Sequence, residues 1–187
     1  MSCAFSSNER ILRYKRINAF FFTDTFFGKK SARNYSRRQL FVSDKGFIKV
    51  YGIKSKSEFP QALKLFSKEV GVPNAFILDT SGEQTSNVVR AFCHKIGTTL
   101  RILEEQTQHA DCAELYIGLL NESVRKDMRE THYPMKLWCY CAERRAAISN
   151  LTAKNIFQLQ GHTPHSMILG EPGDISNLCQ FGWYEWC

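Results

Sequence analysis

No apolar run in this chain reaches membrane-spanning length, and the stretch MSCAFSSNERILRYKR is broken by Asn8, Glu9 and Arg10 before an apolar segment can form. Neither a membrane span nor a secretory signal is expected, and the sequence reads as a soluble protein of the nucleus or cytoplasm with no membrane partner. The seven cysteines have no regular spacing and their number is odd. A disulfide framework is therefore not expected, and most of the thiols read as core filler. Cys139-x-Cys141 and His162-x-x-His165 carry zinc-ligand chemistry, but thiols two apart on a helix point to different faces, so packing and loop roles are expected instead. Internal repeats, low-complexity tracts and linkers are also missing. With 187 residues, 43% of them hydrophobic, one domain around one good core is the expectation.

Acids are scarce at one end. Residues 1–49 hold 11 Lys/Arg against Glu9, Asp24 and Asp44, a charge of +8, while the remainder carries −1. Two clusters make up the excess: RYKR at 13–16, and GKKSARNYSRR at 28–38, where Lys29, Lys30, Arg33, Arg37 and Arg38 accompany Tyr35. That composition suits a phosphate backbone, and DNA contact is expected of Lys29, Lys30, Arg37 and Arg38. A solvated hairpin tip is the plainer alternative.

Hydrophobic periodicity predicts strands over 18–27, 39–44 and 47–53, the last two joined by a tight DKG turn. A helix follows, with Ser57 as its expected N-cap, Pro60 in its first turn and Gly71 as its stop. A buried strand at 75–79 leads into a second helix ending at Gly97, and TTLRIL at 98–103 reads as a strand. Two more helices are predicted over about 112–130 and 134–150, the second starting at Pro134. Trp138, Trp183, Tyr184 and Trp186 read as core or interface aromatics. This element order is that of an α/β ribonuclease H-like fold, a mixed five-stranded sheet with three antiparallel strands first, flanked by helices.

The segment AFFFTDTFF (19–27) sets Asp24 inside a run of phenylalanines. An ionised carboxylate in such a strand costs several kcal/mol or more, of that order of magnitude, unless a cation pairs with it. Two other acids end or open apolar elements. Asp79 closes the strand FILD, and Glu114 opens the helix in CAELYIGLL, 35 residues later. An aspartate at a strand end is often a helix cap, but Ser81 and Gln84 form a capping box that leaves Asp79 free. Glu114 alone would pass for an ordinary first-turn glutamate. Carboxylates converging from a central strand, a strand end and a helix start suit Mg²⁺ or Mn²⁺, and two such ions serve in-line phosphoryl chemistry. Along the helix that starts near Glu114, Asn121, Arg125 and Arg129 fall within roughly 60° of its direction, a polar and basic stripe suited to DNA or, in the alternative, a solvated surface with Glu122 and Asp127 nearby. Ala113, Ile117, Leu120, Val124 and Met128 form the apolar face.

The chain resembles the integrase catalytic core of a retrotransposon, of copia type, within the retroviral-integrase and DDE-transposase superfamily. The resemblance lies in FFTDTFF, QLFVSDKGFIKVYGIKSKSE, ILDTSGEQTS, FCHKIGTTLRILEEQTQHADCAELYIGLL, LWCYCAERRAAISNLTA and GHTPHSMILGEPGDISNLCQFGWYEW, from residue 18 to the C-terminus. It implies DNA 3′-end processing and strand transfer, Asp24, Asp79 and Glu114 as catalytic and metal-binding residues, two Mg²⁺ or Mn²⁺ ions, and a homodimer or higher homo-oligomer on DNA. Where family members carry Asn-Gly before the catalytic glutamate, this chain has Asp111 and Cys112. The chain reads as a basic extension (1–17), a catalytic core (18–152) and a C-terminal tail (153–187). The alternative reading is a catalytically idle, integrase-derived module for DNA binding or dimerisation.

Overall fold

A computed structural model describes residues 14–78, 84–103, 110–132, 134–155 and 157–176. Five strands form one sheet: β1 (Arg16–Phe27), β2 (Arg37–Ser43), β3 (Ile48–Ile53), β4 (Val72–Leu78) and β5 (Thr99–Ile102). Their spatial order is β3-β2-β1-β4-β5. The pairs β1–β2 and β2–β3 are antiparallel, and β1–β4 and β4–β5 are parallel. Helices α1 (Phe59–Glu69), α2 (Asn87–Ile96), α3 (Ala110–Glu130), α4 (Trp138–Leu151) and α5 (Pro164–Leu169) flank the sheet. This is the expected mixed sheet of a ribonuclease H-like fold, with β1 at its centre.

Each face of the sheet has its own apolar cluster. On one, Phe22 and Phe26 of β1 and Leu40 and Val42 of β2 meet Ala113, Leu120, Val124 and Met128 of α3 and Trp138, Cys141 and Ala142 of α4. On the other, Ala19, Phe21 and Phe41 meet Phe59, Leu63 and Phe66 of α1, Val89 and Cys93 of α2, and Ile168 of α5. Here Phe41 stacks on Phe66 with centroids 4.6 Å apart, and Phe21 meets Phe66 edge-on at 4.8 Å. Such pairs contribute about 0.5–1.5 kcal/mol each beyond the area they bury. The aromatic run of β1 follows from this double covering, which begins at Phe21. The earlier half alternates, with Arg16, Asn18 and Phe20 on the open side.

The β2–β3 turn forms at Asp44–Lys45, with Gly46 at φ 72°. Ser43 Oγ accepts the N–H groups of Lys45 and Phe47, which closes the turn. Gly71 stands at φ 131°, and a Cβ there would lie 2.5 Å from the Lys15 carbonyl, so only glycine fits between α1 and β4. At the outer edge of the sheet Asn150, near the end of α4, accepts the Ile48 N–H and donates to the Ile48 carbonyl, both at 2.7 Å.

Three helix starts differ from expectation. Ser57 does not cap α1: a 3-10 turn occupies Lys56–Glu58, Ser57 shares a hydroxyl contact with Ser55, and Glu58 accepts the Lys54 N–H. The helix proper begins at Phe59, with Pro60 in its first turn as expected. Helix α2 begins at Asn87 after Ser86, so the Ser81–Gln84 box does not cap it; Ser81 lies outside the described residues. Pro134 opens a 3-10 turn at Met135–Leu137, and α4 begins only at Trp138. Gly97, left-handed at φ 66°, ends α2 as predicted.

Candidate active site

The parallel register of β1 with β4 ends at Thr23↔Leu78. Asp24 is the next residue of β1, half-buried, and shares with Phe22 and Phe26 the face that α3 and α4 cover. Phe20 O accepts from Asp44 N and Gly28 N donates to Ser36 O, so the even positions of this stretch of β1 bond toward β2 and the odd ones face β4. The Thr25 N–H therefore points to the side where the described part of β4 has ended. Asp24 Oδ1 accepts it at 2.6 Å. The carboxylate is thus tied to the backbone one residue past the last described β1–β4 pair, on the central strand of the sheet.

Glu114 stands on the first turns of α3, exposed to solvent. Its neighbour Ala113 is buried in the cluster that contains Phe22 and Ile77, which seats the start of α3 on the Asp24 side of the sheet. Asp79 lies outside the described residues, as do the side chains of Asp111 and Cys112. Among the described residues no three His, Cys, Asp or Glu side chains gather as a metal-binding group. Cys139 and Cys141 are buried residues of α4 in no disulfide, packed in the core cluster as expected of them.

The basic segment is fixed in place by the start of α4. The Trp138 indole N–H donates to the Lys29 carbonyl (2.5 Å), and Ala32 N–H donates to the Lys136 carbonyl (2.7 Å). Arg33 stacks over Tyr140 at 3.7 Å and pairs with Glu143 at 2.7 Å. Lys29 and Lys30 are left exposed, with Lys136 beside them; Arg37 stacks against the exposed ring of Phe27. Lys136 was not singled out from the sequence, since only the fold brings it to a loop more than a hundred residues earlier.

Arg38 differs from its neighbours. It is 6% exposed, its guanidinium lies 4.0 Å over Trp138, and Nη1 donates to Asn121 Oδ1 at 3.0 Å. Two residues expected on the DNA surface, Arg38 and Asn121, are thereby joined to each other across β2 and α3. Arg125 and Arg129, farther along α3, are exposed. Asp127, near that stripe on α3, is 4% exposed and held by the Arg145 guanidinium through both carboxylate oxygens, with Cys141 Sγ at 3.6 Å.

No protein-family model matches the chain, and no curated protein matches it. Solved structures do. A chain in the cryoEM structure of the simian T-cell lymphotropic virus intasome in complex with PP2A regulatory subunit B56 gamma aligns with a TM-score of 0.65 and 17% identity, over 80% of this chain and 54% of that one. The catalytic core domain of BIV integrase aligns with a TM-score of 0.59 and 13% identity, over 81% of this chain and 93% of that one. The chain thus spans about half the length of the first (54%) and nearly all of the second (93%). At such identities the likeness is one of architecture: this chain has the ribonuclease H-like fold of the BIV integrase catalytic core.

Proposed function

We propose that the chain is a metal-dependent polynucleotidyl transferase of integrase type that carries out DNA 3′-end processing and strand transfer, with Asp24, Asp79 and Glu114 as its catalytic carboxylates. One observation carries this reading: Asp24 interrupts the aromatic central strand of the sheet, on the face covered by the helix whose first turns hold Glu114. Asp79 follows Leu78 in sequence, and Leu78 is the Cα partner of Thr23, so an aspartate comes next after each member of the last paired couple. A copia-type origin and a catalytic core over 18–152 belong to the same reading, supported by the order of the sequence motifs.

The donor chemistry fits a divalent cation. Three carboxylates offer the hard oxygens that Mg²⁺ and Mn²⁺ prefer, and a half-buried aspartate on an aromatic strand gains more from a cation than an exposed one does. Asp24, Asp79 and Glu114 would hold the metal, two ions in this reading, which when bound activates the attacking hydroxyl and stabilises the leaving oxygen. The chain's own contribution is position. Thr25 N–H orients Asp24, and Lys29, Lys30, Arg37, Arg125 and Arg129 hold the phosphate backbone, with Arg38 and Asn121 bracing the surface from within. The first neighbour belongs to an intasome. Two or more copies of this chain on DNA form the corresponding assembly, and no helix among the described residues is long and apolar enough to cross a membrane.

The test is nicking and disintegration of a branched DNA substrate by the purified chain with Mg²⁺ or Mn²⁺. Asp24→Asn and Glu114→Gln are expected to lose strand cleavage by orders of magnitude while the fold and DNA affinity persist. Retention of wild-type cleavage by Glu114→Gln would make Glu114 an ordinary first-turn glutamate. If neither wild type nor variants cut any substrate but all bind it equally, the idle, DNA-binding reading replaces the catalytic one.

A further inference from the structure

Asp24 is flanked by Thr23 and Thr25, and strand alternation sends both hydroxyls to the opposite face of the sheet. There each meets a buried glutamine. Thr25 is the direct cross-strand partner of Gln39, which is 0% exposed and follows Arg38 in a strand that continues Leu40, Phe41, Val42. A buried primary amide is costly unless all its polar atoms are bonded. Gln39 meets that condition: Nε2 donates to the Asp24 carbonyl (3.1 Å) and the Leu40 carbonyl (3.3 Å), and Oε1 accepts from Thr25 Oγ1. Two carbonyls facing one end and a hydroxyl the other fix which end is the NH₂.

We infer that Gln39 is a positioning residue for Asp24, an inference that rests on the reading of Asp24 as a metal-binding carboxylate. Its amide grips the Asp24–Thr25 peptide from both sides, through the carbonyl of one residue and the hydroxyl of the next. The same peptide carries the N–H that holds Asp24 Oδ1, so its orientation sets that of the carboxylate. A leucine or methionine at 39 would fill this core equally well; what it would not do is hold that peptide. On the other side of Asp24, Thr23 Oγ1 donates to the buried Gln84 in a longer contact of 3.4 Å, so both flanking threonines are tethered to an amide.

The test compares Thr25→Val with the double variant Thr25→Val/Gln39→Met. The first removes the hydroxyl and keeps the Gln39–Asp24 bond; the second also removes the amide but leaves no hydroxyl orphaned, so it is built to fold. Thermal unfolding is followed while Mg²⁺ or Mn²⁺ is titrated, with Asp24→Asn as the reference that removes the response. The single variant, which keeps one side of the grip, is expected to fall between wild type and the double variant. The double variant is expected to need on the order of tenfold more metal, with a metal-free melting temperature like that of the single variant. Without metal, the residue-25 amide is expected to exchange faster in the double variant than in the single one. A double variant with the wild-type midpoint, or with unchanged exchange at residue 25, overturns the role of Gln39 and leaves the proposed function standing. A wild type without a metal response that Asp24→Asn abolishes overturns both.

Discussion

Replacing Arg38 with methionine separates a cation that touches DNA from one that braces the surface others use. The structure gives two terms to the loss. The guanidinium stacked on Trp138 at 4.0 Å in a desolvated site contributes up to about 2 kcal/mol. The hydrogen bond to Asn121 at 3.0 Å, from a charged donor, contributes about 1.5–3 kcal/mol. Methionine recovers part of the contact with Trp138, and Asn121, half-buried, can turn to water. The net expectation is about 2–4 kcal/mol of lost stability in urea unfolding. Each phosphate contact contributes about 0.9 to the slope of log affinity against log salt. Fluorescence anisotropy with duplex DNA at several salt concentrations is therefore expected to give Arg38→Met a slope within about 0.3 of wild type. Lys29→Ala/Lys30→Ala should do the reverse, lowering the slope by up to about 1.8 with stability changed by less than about 0.5 kcal/mol. A slope drop near 0.9 in Arg38→Met with unchanged stability would refute the reasoning.

Two further outcomes follow from buried groups. Arg145→Met strands the Asp127 carboxylate and is expected to cost about 2–3 kcal/mol, the usual figure for a broken buried pair discounted because Arg145 is nearly a third exposed; Asp127→Leu/Arg145→Met should recover most of it in the same unfolding assay. Burial pushes the Cys93 thiol up to about 12, so it should resist thiol reagents at pH 8 until the protein unfolds. Because the folded value is the higher one, the stability linked to Cys93 is complete below about pH 9 and is lost as pH rises toward about 12. Cys93→Ala should flatten that part of the melting curve against pH.

Much of the fold could be read in the sequence because its strongest signals are local. The DKG turn, the Phe-rich first strand, Gly97 and the apolar stripe of α3 each report on a few adjacent residues. Asp24 stands out in the sequence for the same reason, since an acid in such a strand calls for an explanation wherever the strand lies. Burial that the sequence does not show depends on partners distant in the chain. Arg37 and Arg38 look alike in sequence, yet β2 is covered on both faces past its first residue, and the groups that bury Arg38 come from Asn121 and Trp138. Asp127 sits on the flank of the α3 apolar stripe, next to Met128, and is buried where α4 brings Arg145 and Cys141 against it. The Ser57 cap was overridden by local competition, in which Glu58 turned back to the Lys54 N–H.

Asn150 has a consequence beyond fastening α4 to the sheet. Strand β3 is an outer strand, and such a strand presents backbone donors and acceptors to which the backbone of any passing chain can add. At Ile48 that place is already taken: the Asn150 carboxamide supplies one acceptor and one donor in the spacing of a peptide group, and so stands in for a sixth strand one residue long. An incoming chain would have to evict it before it could zip along β3 in register from that end. A single side chain thus acts as a stop to sheet growth at this end of β3, one of the two outer strands of the sheet.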